Sequence, residues 1–309
     1  MEELTLLILG AGWTATFLIP LLQSRNIPFA ATTTTGHPAA GVPTIPFVFD
    51  PSAPEAETRS AIAALPRARY ILITFPIVRT GPSKLLVSTY SETHRTATDT
   101  DTDNATSFRF IQLGSTGIWQ SPSDPQSVPP TPTPTHLASS PWLTRHSPLI
   151  TRTTRSEAED ELLSLGGCVL NLSGLWGGSR TVRNWAKRVA PTKEAVRTKK
   201  SLHLIHGADV ARAVVAVLDG GDAMWEKSGR AQRWMVTDGF VYDWWALLAG
   251  WADTEDTGVV SEQAGWVFEL MREEGVRGLP RGMEVLGRCY DTREFWEAFG
   301  LVPSKGRVC

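Results

Sequence analysis

Leu4-Thr5-Leu6-Leu7-Ile8-Leu9-Gly10-Ala11-Gly12-Trp13-Thr14-Ala15 is the stretch that decides the fold. Residues 4–9 form a short apolar run, as in a strand buried on both faces. The run stops at a Gly10-x-Gly12-x-x-Ala15 turn. Gly10 permits a tight reversal, Gly12 lets a ligand approach the backbone, and Ala15 keeps the next helix close to the strand. Residues 16–24 then carry Phe17, Leu18, Leu21 and Leu22 at helical spacing. A buried strand, a glycine turn and a helix N-terminus together make a seat for the pyrophosphate of a dinucleotide. The turn residues Gly10, Gly12, Trp13, Thr14 and Ala15 are its expected contacts.

The alternation continues along the chain. Strands are expected at 29–33, 46–50, 70–75, 108–113 and 168–172, with helices at 55–65 and 155–165. Strands and helices of this length in alternation predict an α/β fold with a doubly wound parallel sheet, of the Rossmann type. Further on, 182–189 and 206–218 read as helices and 234–237 as an added strand. Helices at 242–251, 261–273 and 292–299 follow, in a region rich in tryptophan. The expected division is a dinucleotide-binding domain of residues 1–178 and 204–237, with a smaller C-terminal lobe of 179–203 and 238–309 that handles substrate. Two segments break the rhythm. Residues 96–107 are polar and of low complexity, as in a surface excursion. Residues 121–148 are dense in proline and serine, which excludes helix and central strand and fits a lid.

The bulk composition narrows the function. The 309 residues are 42% hydrophobic and 20% charged, with a formal net charge of −2. That is globular composition without the basic footprint of a nucleic-acid binder. Lys199-Lys200 and the arginines of 152–155 read as solvated faces. No apolar run reaches the eighteen or so residues of a membrane span, and residues 1–3 lack the positive charge of a secretory signal. Three scattered cysteines build neither a metal knot nor a disulfide framework. The expectation is a cytoplasmic protein acting on a small molecule, with no metal, nucleic acid or membrane.

The end of the second strand decides between nicotinamide cofactors. An acid there binds the ribose 2′-hydroxyl and repels a 2′-phosphate. Here the residues are Thr32-Thr33-Thr34-Thr35. Hydroxyls at Thr33 and Thr34 can donate to a phosphate, so the reading favours NADP(H), with NAD(H) as the alternative.

Taken in order, these pieces resemble the short-chain dehydrogenase/reductase superfamily, in its extended, epimerase/dehydratase-like branch. The resemblance spans most of the chain. Phe110-Ile111-Gln112-Leu113-Gly114-Ser115-Thr116-Gly117-Ile118-Trp119 is similar to the family strand that ends in the catalytic serine, which implies that role for Ser115. Asn171-Leu172-Ser173-Gly174-Leu175-Trp176-Gly177 is similar to the strand and turn beside the nicotinamide. Leu204-Ile205-His206-Gly207-Ala208-Asp209-Val210-Ala211 is similar to the opening of a late family helix, and 292–303 to its terminal helix. The resemblance also implies Asp50 near the adenine, with Phe75 and Pro76 against the cofactor.

One departure concerns catalysis. The family's reductases use a Tyr-x-x-x-Lys pair, in which lysine lowers the tyrosine pKa and tyrosine passes the proton. The four tyrosines here are Tyr70, Tyr90, Tyr242 and Tyr290, and four residues beyond them stand Thr74, His94, Ala246 and Glu294. The pair is absent, which marks an atypical member. Matching the helix on Ala158-Glu159 puts Thr151 at the tyrosine position and Arg155 at the lysine position. A threonine is too weak an acid to replace a phenol, whereas Arg155 still forks onto ribose hydroxyls. Other candidate acids carry little. His94, His136 and His146 lie in polar stretches and read as surface residues, with His146 placed to swing over the site on the 121–148 loop. Asp209 reads as a helix cap, and Glu157, Glu159 and Asp160 as dipole partners at a helix start. Two functional classes stay open: an oxidoreductase or epimerase-like enzyme, and a non-catalytic cofactor-binding redox sensor or interaction protein.

Overall fold

The computed structural model describes residues 4–95, 108–119, 142–149, 152–253 and 258–306. The first half runs β1 (Leu4–Leu9), α1 (Ala15–Ser24), β2 (Phe29–Thr33), β3 (Ile45–Pro46), α2 (Glu55–Ala63), β4 (Ala68–Ile73), α3 (Pro82–His94), β5 (Arg109–Ser115), β6 (Trp142–Leu143), α4 (Thr154–Ser164) and β7 (Cys168–Leu172). The second runs β8 (Gly174–Trp176), α5 (Ala186–Val189), α6 (Lys193–Thr198), β9 (Ser201–Leu202), β10 (Leu204–His206), α7 (Gly207–Asp219), α8 (Gly221–Met224), β11 (Arg233–Val236), β12 (Tyr242–Asp243), α9 (Trp244–Gly250), α10 (Glu262–Glu273), α11 (Met283–Leu286), β13 (Cys289–Tyr290) and α12 (Arg293–Ala298).

Seven strands form one parallel sheet in the order β11-β7-β5-β4-β1-β2-β3. This is the doubly wound Rossmann-type arrangement that the alternation predicts. Strand order reverses beside β1, and open α/β sheets bind their ligands beyond the carboxyl ends of the strands at such a switch point. One face of the sheet packs against α1, α7 and α12, burying Leu18, Ile19, Leu22, Val210, Val214 and Phe295. The other packs against α2, α3 and α4, burying Ile62, Leu86, Tyr90 and Leu162. Each fully buried aliphatic or aromatic side chain of this kind contributes roughly 2 kcal/mol. A separate hydrophobic cluster gathers Val182, Val196, Trp244, Trp245, Trp251, Val267 and Leu270 around α9 and α10. Among the described residues no helix is long and apolar enough to cross a membrane.

Several expectations need correction. The third strand covers only Ile45–Pro46 rather than 46–50, because its partner β2 ends at Thr33, whose carbonyl takes the Phe47 amide at 2.9 Å, and farther on Asp50 turns the chain by accepting from the Ser52 amide. The fourth begins at Ala68, where the Ala68 amide donates to the Tyr90 hydroxyl at 2.9 Å. Helix α3 has no counterpart in the sequence reading. His94, at its end, is buried rather than on the surface. It stacks on Tyr90 at 4.0 Å, and its Nε2 lies 2.7 Å from the Leu65 carbonyl. Of the 121–148 segment, residues 142–148 are described, and in them β6 pairs with β13. His136 and residues 96–107 lie outside the described residues.

Candidate functional site

At the end of β1 the chain reverses at Gly10, whose φ is +90°. A Cβ there would meet Thr74 Oγ1 at 2.8 Å, so both backbone and space require glycine. Buried Thr32 fixes the turn: its Oγ1 accepts from the Gly10 amide at 3.0 Å and its carbonyl from the Ala11 amide at 2.6 Å. Gly12 donates to the Gly10 carbonyl, and Ala15 to the Gly12 carbonyl. The two amides between them, of Trp13 and Thr14, have no acceptor among the described residues. They stand at the N-terminus of the ten-residue α1, where unpaired amides and the helix dipole favour an anion. Gly12 is exposed, and a Cβ there would meet nothing within 4 Å. The approach to those amides is open.

Trp13 forms one wall of this opening. Its indole N–H donates to the Gly177 carbonyl at 3.1 Å and its ring packs on Phe17 at 5.0 Å. The Gly177–Arg180 turn is closed by paired backbone bonds of 2.8 and 3.1 Å and presents the Arg180 guanidinium over the Trp13 indole at 4.5 Å. Arg180 is exposed and makes no ion pair among the described residues. Gly177 has φ +106°, and a Cβ there would sit 2.2 Å from His206 Nε2. His206 is itself the cap of α7, its Nδ1 accepting from the Ala208 amide, and burial holds its imidazole below the usual range. Asp209, the expected cap, is instead fully buried, and its carboxylate accepts from the Ser304 and Lys305 amides, clamping the C-terminal segment.

Toward the far edge of the sheet, Thr33 is buried, with its hydroxyl 2.8 Å from that of Thr44, while Thr34 is exposed. Asp50 is exposed, and the Ser52 hydroxyl and amide hold its carboxyl below the ordinary range. Phe75 stacks on Phe49 at 6.2 Å and lies against Gly10, with Pro76 exposed beside it.

On the other side of the switch point, β5 ends at Ser115. Its Oγ accepts from the Gly117 amide at 3.1 Å and opens a single 3-10 turn, Thr116–Trp119. Beneath it, Asn171 Nδ2 donates to the Ser115 carbonyl at 3.3 Å and to Glu159 Oε2 at 2.9 Å. Arg233 also reaches Glu159, at 3.3 Å. Glu159 is fully buried, which pushes its carboxyl up. It therefore supports the Ser115 turn rather than serving as an exposed dipole partner. Gly114 makes the room, since a Cβ there would lie 2.3 Å from Asn171 Nδ2. Arg155 is half-buried one turn before Glu159 and adds positive potential there; Thr151 lies outside the described residues.

The four tyrosines are distributed unequally. Tyr70 and Tyr90 are core residues bonded to Arg109 and the Pro66 carbonyl. Tyr242 donates to Asp238 at 2.7 Å. Tyr290 donates to the Thr116 carbonyl at 3.0 Å, one residue from Ser115, and packs on His203 at 4.2 Å. Its sequence separation from Thr116 left no signal by which to find it. His203 Nε2 accepts from the Tyr290 amide, and burial with the nearby Arg288 charge pushes the imidazole down to about 3. His146 is exposed and pairs with Glu294 at 2.9 Å. Among the described residues no group of three or more His, Cys, Asp or Glu could hold a metal ion.

Fold and turn together define an α/β protein of the doubly wound Rossmann type. The chain shares its fold with several solved structures. One is a short-chain dehydrogenase/reductase superfamily protein from Agrobacterium tumefaciens with bound NAD, at TM-score 0.60 and 11% identity, covering 98% of this chain and 93% of the other. A second is UDP-N-acetylglucosamine 4-epimerase from Bacillus cereus, at TM-score 0.58 and 7% identity, covering 98% and 95%. A third is MoeE5 in complex with UDP-glucuronic acid and NAD, at TM-score 0.56 and 13% identity, covering 98% and 94%. No protein-family model matches the sequence, and no curated protein matches it.

Proposed function

We propose that this protein is an atypical member of the short-chain dehydrogenase/reductase superfamily, an NADP(H)-dependent oxidoreductase or epimerase-like enzyme acting on a small molecule. The observation that carries this reading is the pair of unpartnered amides, Trp13 and Thr14, behind an open Gly12 at the sheet's switch point. That donor set fits a pyrophosphate. Arg180, held over Trp13 with no carboxylate partner among the described residues, adds a charged fork to the same anion. The adenosine half falls toward Thr34, Asp50, Phe75 and Pro76. The lack of an acid at 32–35 supports NADP(H) over NAD(H).

When bound, the nicotinamide supplies or accepts a hydride at the substrate carbon. The chain's own part centres on Ser115. Its oxygen accepts from the Gly117 amide, so its proton remains free to donate to a carbonyl oxygen, and the amide strengthens it as a donor. Glu159, Asn171 and Tyr290 hold the turn in place. Arg155 binds ribose hydroxyls in this reading.

Ser115→Ala tests it. Turnover on a panel of carbonyl compounds and sugar nucleotides should fall about 100-fold in kcat with the cofactor Kd unchanged, the mark of an interaction made in the transition state. The absent Tyr-x-x-x-Lys pair favours a second reading, a redox sensor. That reading gains support if wild type turns over nothing on the panel while NADP⁺ and NADPH protect the 121–148 segment differently from proteolysis.

A further inference from the structure

Beyond the carboxyl end of β11 lies a cavity of about 570 Å³, lined by none of the glycine-turn residues and within the size range of small-molecule sites. Three aromatic side chains line it, Trp142, Tyr290 and Trp296, together with three acids, Asp238, Asp291 and Glu297. The acids are not equivalent. Asp291 is neutralised by Arg293, at 2.6 Å. Glu297 is exposed at the rim and has no salt bridge among the described residues. Asp238 is only 3% exposed. Its two oxygens are held by the Phe240 amide at 3.0 Å and the Tyr242 hydroxyl at 2.7 Å, and no cation reaches it among the described residues.

A desolvated carboxylate oriented by neutral donors, without a counter-ion, is a costly arrangement unless a cation comes to it. Aromatic walls lower the cost of bringing that cation out of water, since their faces attract it. The aliphatic segment 301–303 completes the lining with apolar surface. With Arg293 cancelled by Asp291, the lining carries two further acids, which repel a phosphate or carboxylate. We infer that this cavity binds a small organic cation, a protonated amine carrying an apolar body. Such a site lies apart from the dinucleotide turn and does not depend on it.

Three probes of one shape but different charge test it on the full chain without any dinucleotide: phenethylamine, 2-phenylethanol and phenylacetate, followed by ligand-observed NMR titration. Phenethylamine should bind about tenfold more tightly than 2-phenylethanol, with phenylacetate weakest. Asp238→Asn should abolish the preference for amine over alcohol while keeping the affinity for the alcohol. Glu297→Gln, at an exposed position that leaves folding intact, should reduce that preference about twofold. Equal affinity for amine and alcohol, a preference for phenylacetate, an amine preference unchanged in both variants, or no binding of any probe would overturn the inference. A parallel NADPH titration keeps the two readings apart, because loss of either binding leaves the other standing.

Discussion

Asp238→Asn offers a stability measurement whose size follows from the structure. Burial pushes the Asp238 carboxyl up from the ordinary 3.8 to about 6, against the hydrogen bonds from Tyr242 and Phe240 that lower it. In the unfolded chain the group ionises near its ordinary value. Between the two pKa values the folded state binds more protons, so stability falls as pH rises through that window and levels off above it. At roughly 1.4 kcal/mol for each pH unit between the two values, the full loss is about 3 kcal/mol, with about 2 kcal/mol of it between about pH 4.5 and pH 7. Asparagine keeps an oxygen for the Phe240 amide and does not titrate. Any fixed cost of the replacement therefore cancels when the variant is compared with wild type across pH, as does the titration of Glu159, common to both. Urea unfolding of both proteins at half-unit steps from about pH 4.5 to pH 7.5 would read the difference. The variant should gain about 2 kcal/mol on wild type over that range. A difference that stays constant with pH would refute the assignment of a raised pKa to Asp238.

Two further predictions concern the proposed dinucleotide site. Arg180→Ala should weaken NADPH binding about tenfold with an unchanged melting temperature, Arg180→Lys should restore only part of it, and quenching of tryptophan fluorescence on titration would follow both. Thr34→Asp places a carboxylate at an exposed position on the ribose side and should weaken NADPH about tenfold by calorimetry while sparing NADH, whereas equal losses would move the ribose elsewhere.

Sequence was a good guide wherever local periodicity and backbone geometry set the outcome. The apolar run of β1, the φ > 0 demand at Gly10 and most of the strand-helix alternation are local features, and they appear where the residues place them, α3 and the bounds of β3 and β4 excepted. It was a poor guide where polar residues face inward. Helix α3 is rich in hydroxyls, and Ser83, Thr89 and His94 are buried beside Leu86, Val87 and Tyr90, with Ser83 donating to the Ala158 carbonyl, so polar residues interrupt the apolar stripe on its inner face. Glu159 looks like any acid near a helix start until Asn171 and Arg233 are brought against it. The cradle of the Ser115 turn depends on Tyr290, and Asp209 on the segment at 304–305, both contacts between residues far apart in sequence. Arg180 follows a glycine pair whose positive φ angles aim it back at Trp13, a direction that spacing alone does not give.

Calorimetric titration of NADPH and NADH into wild type and Gly12→Asp puts the proposed dinucleotide site itself at stake. A side chain at Gly12 meets no atom within 4 Å, so the variant should fold as wild type does, while its carboxylate stands where the pyrophosphate would approach the Trp13 and Thr14 amides. Wild type should bind at least one of the two cofactors, NADPH the more tightly, and Gly12→Asp should bind neither. Wild type that binds neither cofactor at millimolar concentration, or a folded Gly12→Asp that binds as well as wild type, would contradict a dinucleotide site at this turn.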